Sequence, residues 1–343
     1  MKSNAVIITL AYPDTFVRVS EEFVCKIFPI LGVGTKEYLK AGHAALVLVK
    51  KETGEAFYFD FGRYVTPFGK GRVRGFETDR ELKIPIKGCF DAFENLSNIE
   101  DFLLFLEAHP EKTHGKGKLI ASVSDGIHFE TALHFIKKIQ SLGSIPYGGF
   151  IKDGSNCSRF VTDSILNSTT VPKVKSGLKR IKMFTPSPLG NVAFGSIDKK
   201  IFHVENGNIY PYNKDTFLDN LTNFFDKKHP EWPPKEKTLS SPEIGAQYLD
   251  GIGAGAWFSI TVENALQNLY RIKRYADHHL MDFDGVFSVD NLNFSIEKEY
   301  RFVYDSHCLF CHIKQNERIY RFDFVRNYDE QLLINSTRKV RSA

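Results

Sequence analysis

Short apolar runs recur through the first part of the chain, and each has the length of a β-strand. Residues 5–10 are rich in β-branched side chains, and residues 44–49 are continuously apolar. Residues 56–61 follow after the turn-forming segment 51–54, so the second and third runs are predicted to form a hairpin. Further strands are predicted at 82–86 and 119–123.

Apolar residues at helical spacing indicate the helices. Residues 125–142 have the strongest pattern, with one apolar face. That face contains Phe129, Ala132, Leu133, Ile136 and Ile139. Other helices are predicted at 21–28, 99–108, 158–167 and 216–225.

The pattern changes after residue 185. Segments 201–204 and 209–212 flank Asn206-Gly207, which is a strong hairpin signal. Residues 229–242 are proline-rich and irregular. Alternating strands are predicted at 257–260, 270–275, 281–289, 294–304, 309–314 and 318–324. The chain is therefore predicted to be an α+β protein, with a first domain at 1–185 and a β-rich accessory module at 186–343.

Composition agrees with two globular domains and excludes some classes of function. The 343 residues are 42% hydrophobic and 25% charged, which is ordinary for a chain with a real core. The 45 basic and 41 acidic residues give a net charge of +4, too small to indicate a nucleic-acid partner.

The chain has no apolar run near the ~20 residues of a membrane span, so no integral membrane segment is predicted. The apolar start is interpreted as the first strand rather than a signal peptide, which predicts a cytoplasmic protein. The five cysteines are odd in number and scattered, which argues against a disulfide framework and favours a reducing compartment.

Candidate chemistry centres on Cys157 and His43. Cys157 lies where a loop becomes a helix, so the helix dipole and a nearby imidazolium would both lower the thiol pKa. Ser155 or Asn156 could cap this helix, and the Cys157 N–H would then be available to an oxyanion. His43 heads an apolar strand and could serve as the base.

The hairpin supplies a candidate partner for His43. If residues 51 and 54 close the turn, paired residues have numbers that sum to 105, and Asp60 lies diagonally from His43 on the same face. Asp60 is therefore the candidate third member, although a salt bridge to Arg63 or Arg72 is the plainer interpretation of its carboxylate.

Two motifs resemble the nucleophile signature of NlpC-type papain-like cysteine peptidases and amidases: residues 145–150 (IPYGGF) and 155–161 (SNCSRFV). Because His43 precedes Cys157, the order resembles the circularly permuted branch, which includes lecithin:retinol acyltransferase-like proteins. Asn156 stands where that signature has an acidic residue. The resemblance implies a permuted papain-like first domain, with an antiparallel sheet packed on helices, and a role for Tyr147 in holding substrate or oxyanion. Asn156, next to the thiol, is the second candidate for contacting substrate or oxyanion.

The resemblance implies a cysteine peptidase or amidase acting on peptides, cell-wall peptides or acyl-lipids, without a cofactor. Two alternatives remain open. One is a lipid acyltransferase or thioesterase with the same dyad, and the other is a non-catalytic binding protein with a degenerate site. A protein partner could bind the C-terminal module.

Three other motifs have plainer interpretations. Cys308 and Cys311 form a lone CxxC that is interpreted as strand residues rather than a metal or redox site. Residues 251–256 match a loose dinucleotide fingerprint but precede a strand instead of a helix. Residues 62–75 are predicted to be a solvated basic loop, although their arginines, including Arg74, could bind an acidic substrate.

Overall fold

A computed structural model describes residues 3–20, 22–228, 240–277, 279–290 and 293–341. The chain divides into two compact units. The first comprises Met1–Gly62, Gly69–Phe76 and Leu82–Glu231, and the second comprises Arg63–Phe68, Glu77–Glu81 and Trp232–Ala343.

The first unit combines ten strands and eight helices among its described residues. Its strands are β1 (Ala5–Tyr12), β2 (Val17–Arg18), β3 (Tyr38–Leu39), β4 (His43–Lys50), β5 (Ala56–Gly62), β6 (Lys70–Gly75), β7 (Leu119–Ile127), β8 (Ile145–Pro146), β9 (Ile201–Glu205) and β10 (Asn208–Pro211). Its helices are α1 (Phe23–Ile27), α2 (Ile99–Glu107), α3 (Pro110–Thr113), α4 (Phe129–Ser141), α5 (Cys157–Ser168), α6 (Pro172–Lys182), α7 (Pro188–Gly195) and α8 (Thr216–Phe224).

Eight of these strands form one antiparallel sheet in the order β10-β9-β7-β1-β4-β5-β6-β8. The central strands β1 and β4 are apolar along nearly their whole length because both of their faces are covered. Apolar residues of α4, α5 and α6 pack on one face, and those of α2 pack on the other. The predicted α+β fold, an antiparallel sheet packed on helices, is confirmed.

The structure differs from the sequence predictions at several elements. β7 runs through Gly126, whose φ of +73° suits glycine, so the helix predicted from 125 begins at Phe129. No strand forms at 82–86, and the predicted hairpin of β9 and β10 joins the sheet of the first unit through β7.

The predicted solvated basic loop at 62–75 is wrong. Residues 70–75 form β6, which pairs with β5, and Arg63, Arg72 and Arg74 are all buried. Gly69, Gly71 and Gly75 give the segment a loop-like composition, but the pairing with β5 decides its structure.

The second unit is β-rich, as predicted. Its elements are β11 (Gln247–Leu249), β12 (Ala256–Asn264), β13 (Leu269–Ala276), β14 (Met281–Ser288), β15 (Arg301–Val303), β16 (Phe310–Gln315), β17 (Arg318–Asn327) and α9 (Tyr328–Arg341). The sheet order is β11-β12-β13-β14-β17-β16-β15. Its two edges meet where the Gln247 side chain donates to the carbonyl of Tyr300 and accepts from the N–H of Phe302.

Two remaining predictions concern membrane segments and the proline-rich stretch. Among the described residues, no helix has both the length and the apolar character needed to cross a bilayer. Residues 229–239 of the proline-rich segment 229–242 lie outside the described residues.

Candidate active site

Cys157 is the first residue of α5, where its thiol meets the positive end of the helix. The helix begins here because Asn156 is extended and its side-chain oxygen accepts from the N–H of Arg159 at 2.8 Å. The apolar face of α5 packs on the sheet through Phe160, Val161 and Ile165. Cap and packing together fix the Cys157 side chain against the end of β4.

His43 is the first residue of β4 and is buried. Its side chain hydrogen-bonds that of Cys157, and the backbone N–H of Ala44 also donates to the sulfur. Its Nε2 lies 3.4 Å from Oδ2 of Asp60, within ion-pair range but without the alignment of a hydrogen bond. Because Nε2 faces Asp60, Nδ1 is the ring nitrogen available to the thiol.

The hairpin register agrees with the sequence prediction. Ala45 pairs with Asp60, so the residue numbers sum to 105 as predicted, and Asp60 lies diagonally from His43. The structure therefore brings Cys157, His43 and Asp60 together in one row.

Asp60 is fully buried and holds a second cation that the sequence did not assign to it. Arg74 lies directly opposite Asp60 on β6, and its guanidinium binds both carboxylate oxygens, with Nε at 2.9 Å from Oδ1. The hydroxyl of Tyr58 donates to Oδ2 at 3.0 Å. The partner is thus Arg74, not Arg63 or Arg72. It is set by the strand pairing of β6, a segment for which the glycine-rich sequence predicts a loop.

These contacts set the charges of the three groups. Burial favours neutral groups, yet the Arg74 charge and His43 hold the pKa of Asp60 well below its usual range. Burial would likewise lower the pKa of His43, but contacts with Asp60 and Cys157 raise it to about 9. Burial opposes ionisation of Cys157 as well, and the His43 contact overcomes this and lowers the thiol pKa. The contact between the two side chains therefore favours the charged pair, thiolate and imidazolium, over what burial alone would allow.

The thiol lines a cavity of about 260 Å³ in the first unit. Most of the cavity lining is apolar, and it includes Val17, Val19, Phe28, Val33, Leu39 and Phe224. Tyr147 and Asn156 also line it, as does Cys25.

The two other candidate residues occupy different positions in this cavity. The Asn156 side-chain oxygen is engaged by the helix cap, and its amide nitrogen lies beside Gly149. The Tyr147 ring stacks on Phe61, with centroids 6.0 Å apart, and so forms part of the wall. A polar donor and an aromatic surface thus flank the thiol.

Glu22 is a residue of this cavity that the sequence analysis missed. Its carboxylate accepts from the N–H groups of Gly149 and Phe150 at 3.0 and 2.7 Å, and from the hydroxyl of Ser20 at 2.8 Å. A side chain at Gly148 would collide with that carboxylate, since an added Cβ would lie 2.6 Å from its carbon. The glycines of the 145–150 motif therefore admit Glu22 to the cavity wall.

Two other sequence motifs lie in the second unit. Cys308 and Cys311 are buried in the core of the second unit, and no group of three or more His, Cys, Asp or Glu side chains in the part of the chain described could hold a metal ion. Residues 251–256 form the connection from β11 to β12, so the glycine-rich segment leads into a strand.

Comparison with known proteins gives two family matches. Residues 7–174 match the family described as Type VI secretion system effector TseH-like, and residues 246–325 match the DUF6695 C-terminal domain. No curated protein gives a significant match. A crystal structure of the Type VI secretion system effector TseH is similar at 18% identity and a TM-score of 0.38, over 61% of this chain and 97% of TseH. Over residues 7–174, the chain is therefore similar to TseH-like effectors of Type VI secretion systems.

Proposed function

We propose that the chain is a thiol-dependent hydrolase in which Cys157 is the nucleophile, His43 the general base and acid, and Asp60 the group that orients the imidazole. One observation carries this proposal. The buried Cys157 thiol, at the start of α5, contacts His43, and His43 in turn lies beside Asp60. Structural cysteines rarely combine a lowered pKa with an imidazole partner and an adjoining cavity.

In the proposed reaction, the Cys157 thiolate attacks a carbonyl carbon. The new C–S bond forms as the C=O π electrons move to oxygen, and the N–H of Cys157 and the amide of Asn156 stabilise that oxyanion. His43 then gives its proton to the departing amine or alcohol, leaving an acyl thioester. Water, deprotonated by His43, attacks the thioester, the acid departs, and the thiolate–imidazolium pair is restored. Tyr147 would hold the substrate through its ring, which forms part of the cavity wall.

Two further points of the proposal concern its setting. The order of His43 before Cys157 on strand and helix supports the permuted papain-like assignment of the first unit. The similarity of residues 7–174 to TseH-like effectors supports a role as a Type VI effector, which would act after export and not in the cytoplasm predicted from the sequence. The site itself is compatible with an amide or an ester substrate.

Alkylation of Cys157 by iodoacetamide tests the site directly. We expect the labelling rate, followed by peptide mass spectrometry between pH 5 and 10, to show an apparent pKa well below the ~8.5 of a free thiol. In His43→Ala, labelling should slow at neutral pH because the imidazolium no longer stabilises the thiolate.

Cys89 is an exposed thiol of the same chain and serves as the internal control, since its labelling should not respond to His43→Ala. If Cys157 is inert across the pH range, or labels like Cys89 with or without His43, the hydrolase proposal fails. A non-catalytic binding protein would then be the better interpretation.

The apolar cavity lining favours an acyl-lipid as a second candidate substrate beside peptides. Turnover of 4-nitrophenyl esters of increasing chain length, compared with the matching 4-nitroanilides, separates the two. Faster turnover of longer esters than of any anilide would support the lipid substrate, and the reverse would support a peptidase or amidase.

A further inference from the structure

Exposed apolar side chains lie in, or within two residues of, the segments that line the cavity of Cys157. Met183 and Phe184 are 79% and 82% exposed and immediately precede Thr185, which lines the cavity. Three other segments of the lining also continue into exposed apolar residues. These residues are Ile30, Leu31, Phe150 and Phe225, which we call, together with Met183 and Phe184, the apolar rim.

A basic helix leads directly into this rim. The α6 sequence, PKVKSGLKRIK, has five cationic residues and no acidic one. Its apolar residues Val174 and Leu178 are buried against the first unit, while Lys179 and Arg180 are exposed one turn before Met183. Among these cations, Lys182 is paired with Asp163.

We infer that the apolar rim and α6 dock on a lipid bilayer that carries anionic headgroups, so that an acyl chain passes from the bilayer into the cavity. Docking on the bilayer is independent of the proposed function, whereas the reaction of the acyl chain at Cys157 rests on it. Exposed aromatic and aliphatic side chains beside a cationic face are the composition of surfaces that bind in the membrane interface.

The charge of α6 favours an anionic bilayer over a second copy of this chain as the partner of the apolar rim. A second copy of this chain would place the cations of one α6 near those of the other, since α6 adjoins the rim, and like charges oppose that contact. An anionic bilayer instead attracts them, with about 1 kcal/mol for each Lys or Arg near the surface. The apolar rim gains from burial among the acyl chains at the same time.

Co-sedimentation of the full chain with vesicles tests the inference. We expect binding to vesicles of phosphatidylcholine and phosphatidylglycerol, little binding to phosphatidylcholine alone, and weaker binding as salt is added. The double variant Lys179→Glu/Arg180→Glu should weaken binding at least about tenfold, from the loss of two attractive charges. Met183→Ser/Phe184→Ser should also weaken vesicle binding, because it removes apolar side chains that would be buried in the bilayer.

Matched variants on the second unit test whether vesicle binding depends on the apolar rim and α6 or only on the overall charge and hydrophobicity of the chain. Lys298→Glu/Arg318→Glu changes two exposed cations there, and Ile244→Ser/Leu266→Ser changes two fully exposed apolar residues. Both controls should bind vesicles like the unchanged chain. Far-UV circular dichroism and thermal unfolding verify that each variant is folded.

Several outcomes would overturn the inference. Absence of binding to the anionic vesicles contradicts it, as does equal binding to both lipids or equal loss in the control variants. A dimer without lipid that Met183→Ser/Phe184→Ser dissociates, with no vesicle binding, would identify the rim as a contact between copies. Because Cys157 labelling uses no lipid, failure of docking is distinguishable from failure of the proposed hydrolase.

Discussion

At the scale of single residues, the notable group is Asp60, a buried carboxylate between two cations. Arg74 binds both of its oxygens, and His43 approaches Oδ2 from the end of β4. The Arg74 charge keeps Asp60 ionised despite its burial, so the carboxylate can hold the imidazole in its charged form. The side chain of Cys157 also contacts this ring and raises its pKa.

The pKa of His43 depends on two neighbouring groups, Asp60 and Cys157, so removal of one of them should change it. In Cys157→Ser, a neutral hydroxyl replaces the ionisable thiol, so the pKa of His43 should fall below its value of about 9, while Asp60 still raises it above that of a buried imidazole without a partner. NMR titration of the His43 ring nitrogens between pH 5 and 10 measures this.

Cys25→Ser is the control, since it removes the other thiol of the cavity without touching the pair. If the His43 pKa stays at about 9 in Cys157→Ser, the side chain of Cys157 does not contribute to the raised pKa of the ring. A fall in both variants would show that the substitution acts through the cavity rather than through charge.

At the scale of elements, the start of α5 combines three roles in two residues. The Asn156 side-chain oxygen caps the helix, its amide nitrogen remains beside the cavity, and the N–H of Cys157 is at the helix terminus. The first role concerns stability, whereas the other two belong to the oxyanion site proposed above, so substitutions at Asn156 can separate them.

Asn156→Ala should lower the free energy of unfolding by about 1 kcal/mol because the N–H of Arg159 loses its acceptor. Asn156→Ser retains a capping oxygen and should recover most of that loss, but it has no amide donor. Its turnover of 4-nitrophenyl esters should therefore remain reduced by about 10²–10³-fold. Urea denaturation and steady-state kinetics measure the two effects.

The opposite pattern would assign Asn156 to structure alone. If Asn156→Ser restores both stability and turnover, its amide does not stabilise the oxyanion. The pH dependence of Cys157 labelling in the same variant reports whether the helix start still supports the thiolate.

At the scale of the whole molecule, the second unit is discontinuous in sequence. It includes Arg63–Phe68 and Glu77–Glu81, far ahead of residue 232. Arg274 on β13 is buried and donates to Asp79 at 2.9 Å, to Glu81 at 2.7 Å and to Asp282. The N–H of Cys308 also donates to the carbonyl of Thr78, at 3.1 Å. The charge balance of this core therefore depends on the early segments.

A fragment of residues 240–343 should consequently fold poorly by itself. Without Asp79 and Glu81, Arg274 keeps a single carboxylate partner in a buried position, and removal of partners from a buried ion pair costs about 3–5 kcal/mol. We expect the fragment to aggregate or to lack a cooperative thermal transition, whereas the full chain retains one.

The full chain with Asp79→Asn/Glu81→Gln provides the comparison, because it retains the segments but not their charges. This variant should unfold at a lower temperature than the unchanged chain. Cooperative unfolding of the isolated fragment at the temperature of the full chain would show that the early segments are dispensable.

The sequence by itself determined the features that depend on neighbouring residues. The apolar runs of β1 and β4, the turn at 51–54 that sets the register of Asp60, and the cap before Cys157 each follow from residues a few positions apart. The β-rich character of the second unit was predicted in the same way, from period and turn signals.

Only the tertiary structure decided the contacts between distant segments. β6 is a strand because β5 pairs with it, and that pairing places Arg74 on Asp60. Glu22 enters the cavity through contacts with residues more than a hundred positions away. Residues 63–68 and 77–81 belong to the second unit because they contact residues beyond 250. Local propensity carries no information on such pairings, since their free energy comes from packing and charge neutralisation that exist only after the chain has folded.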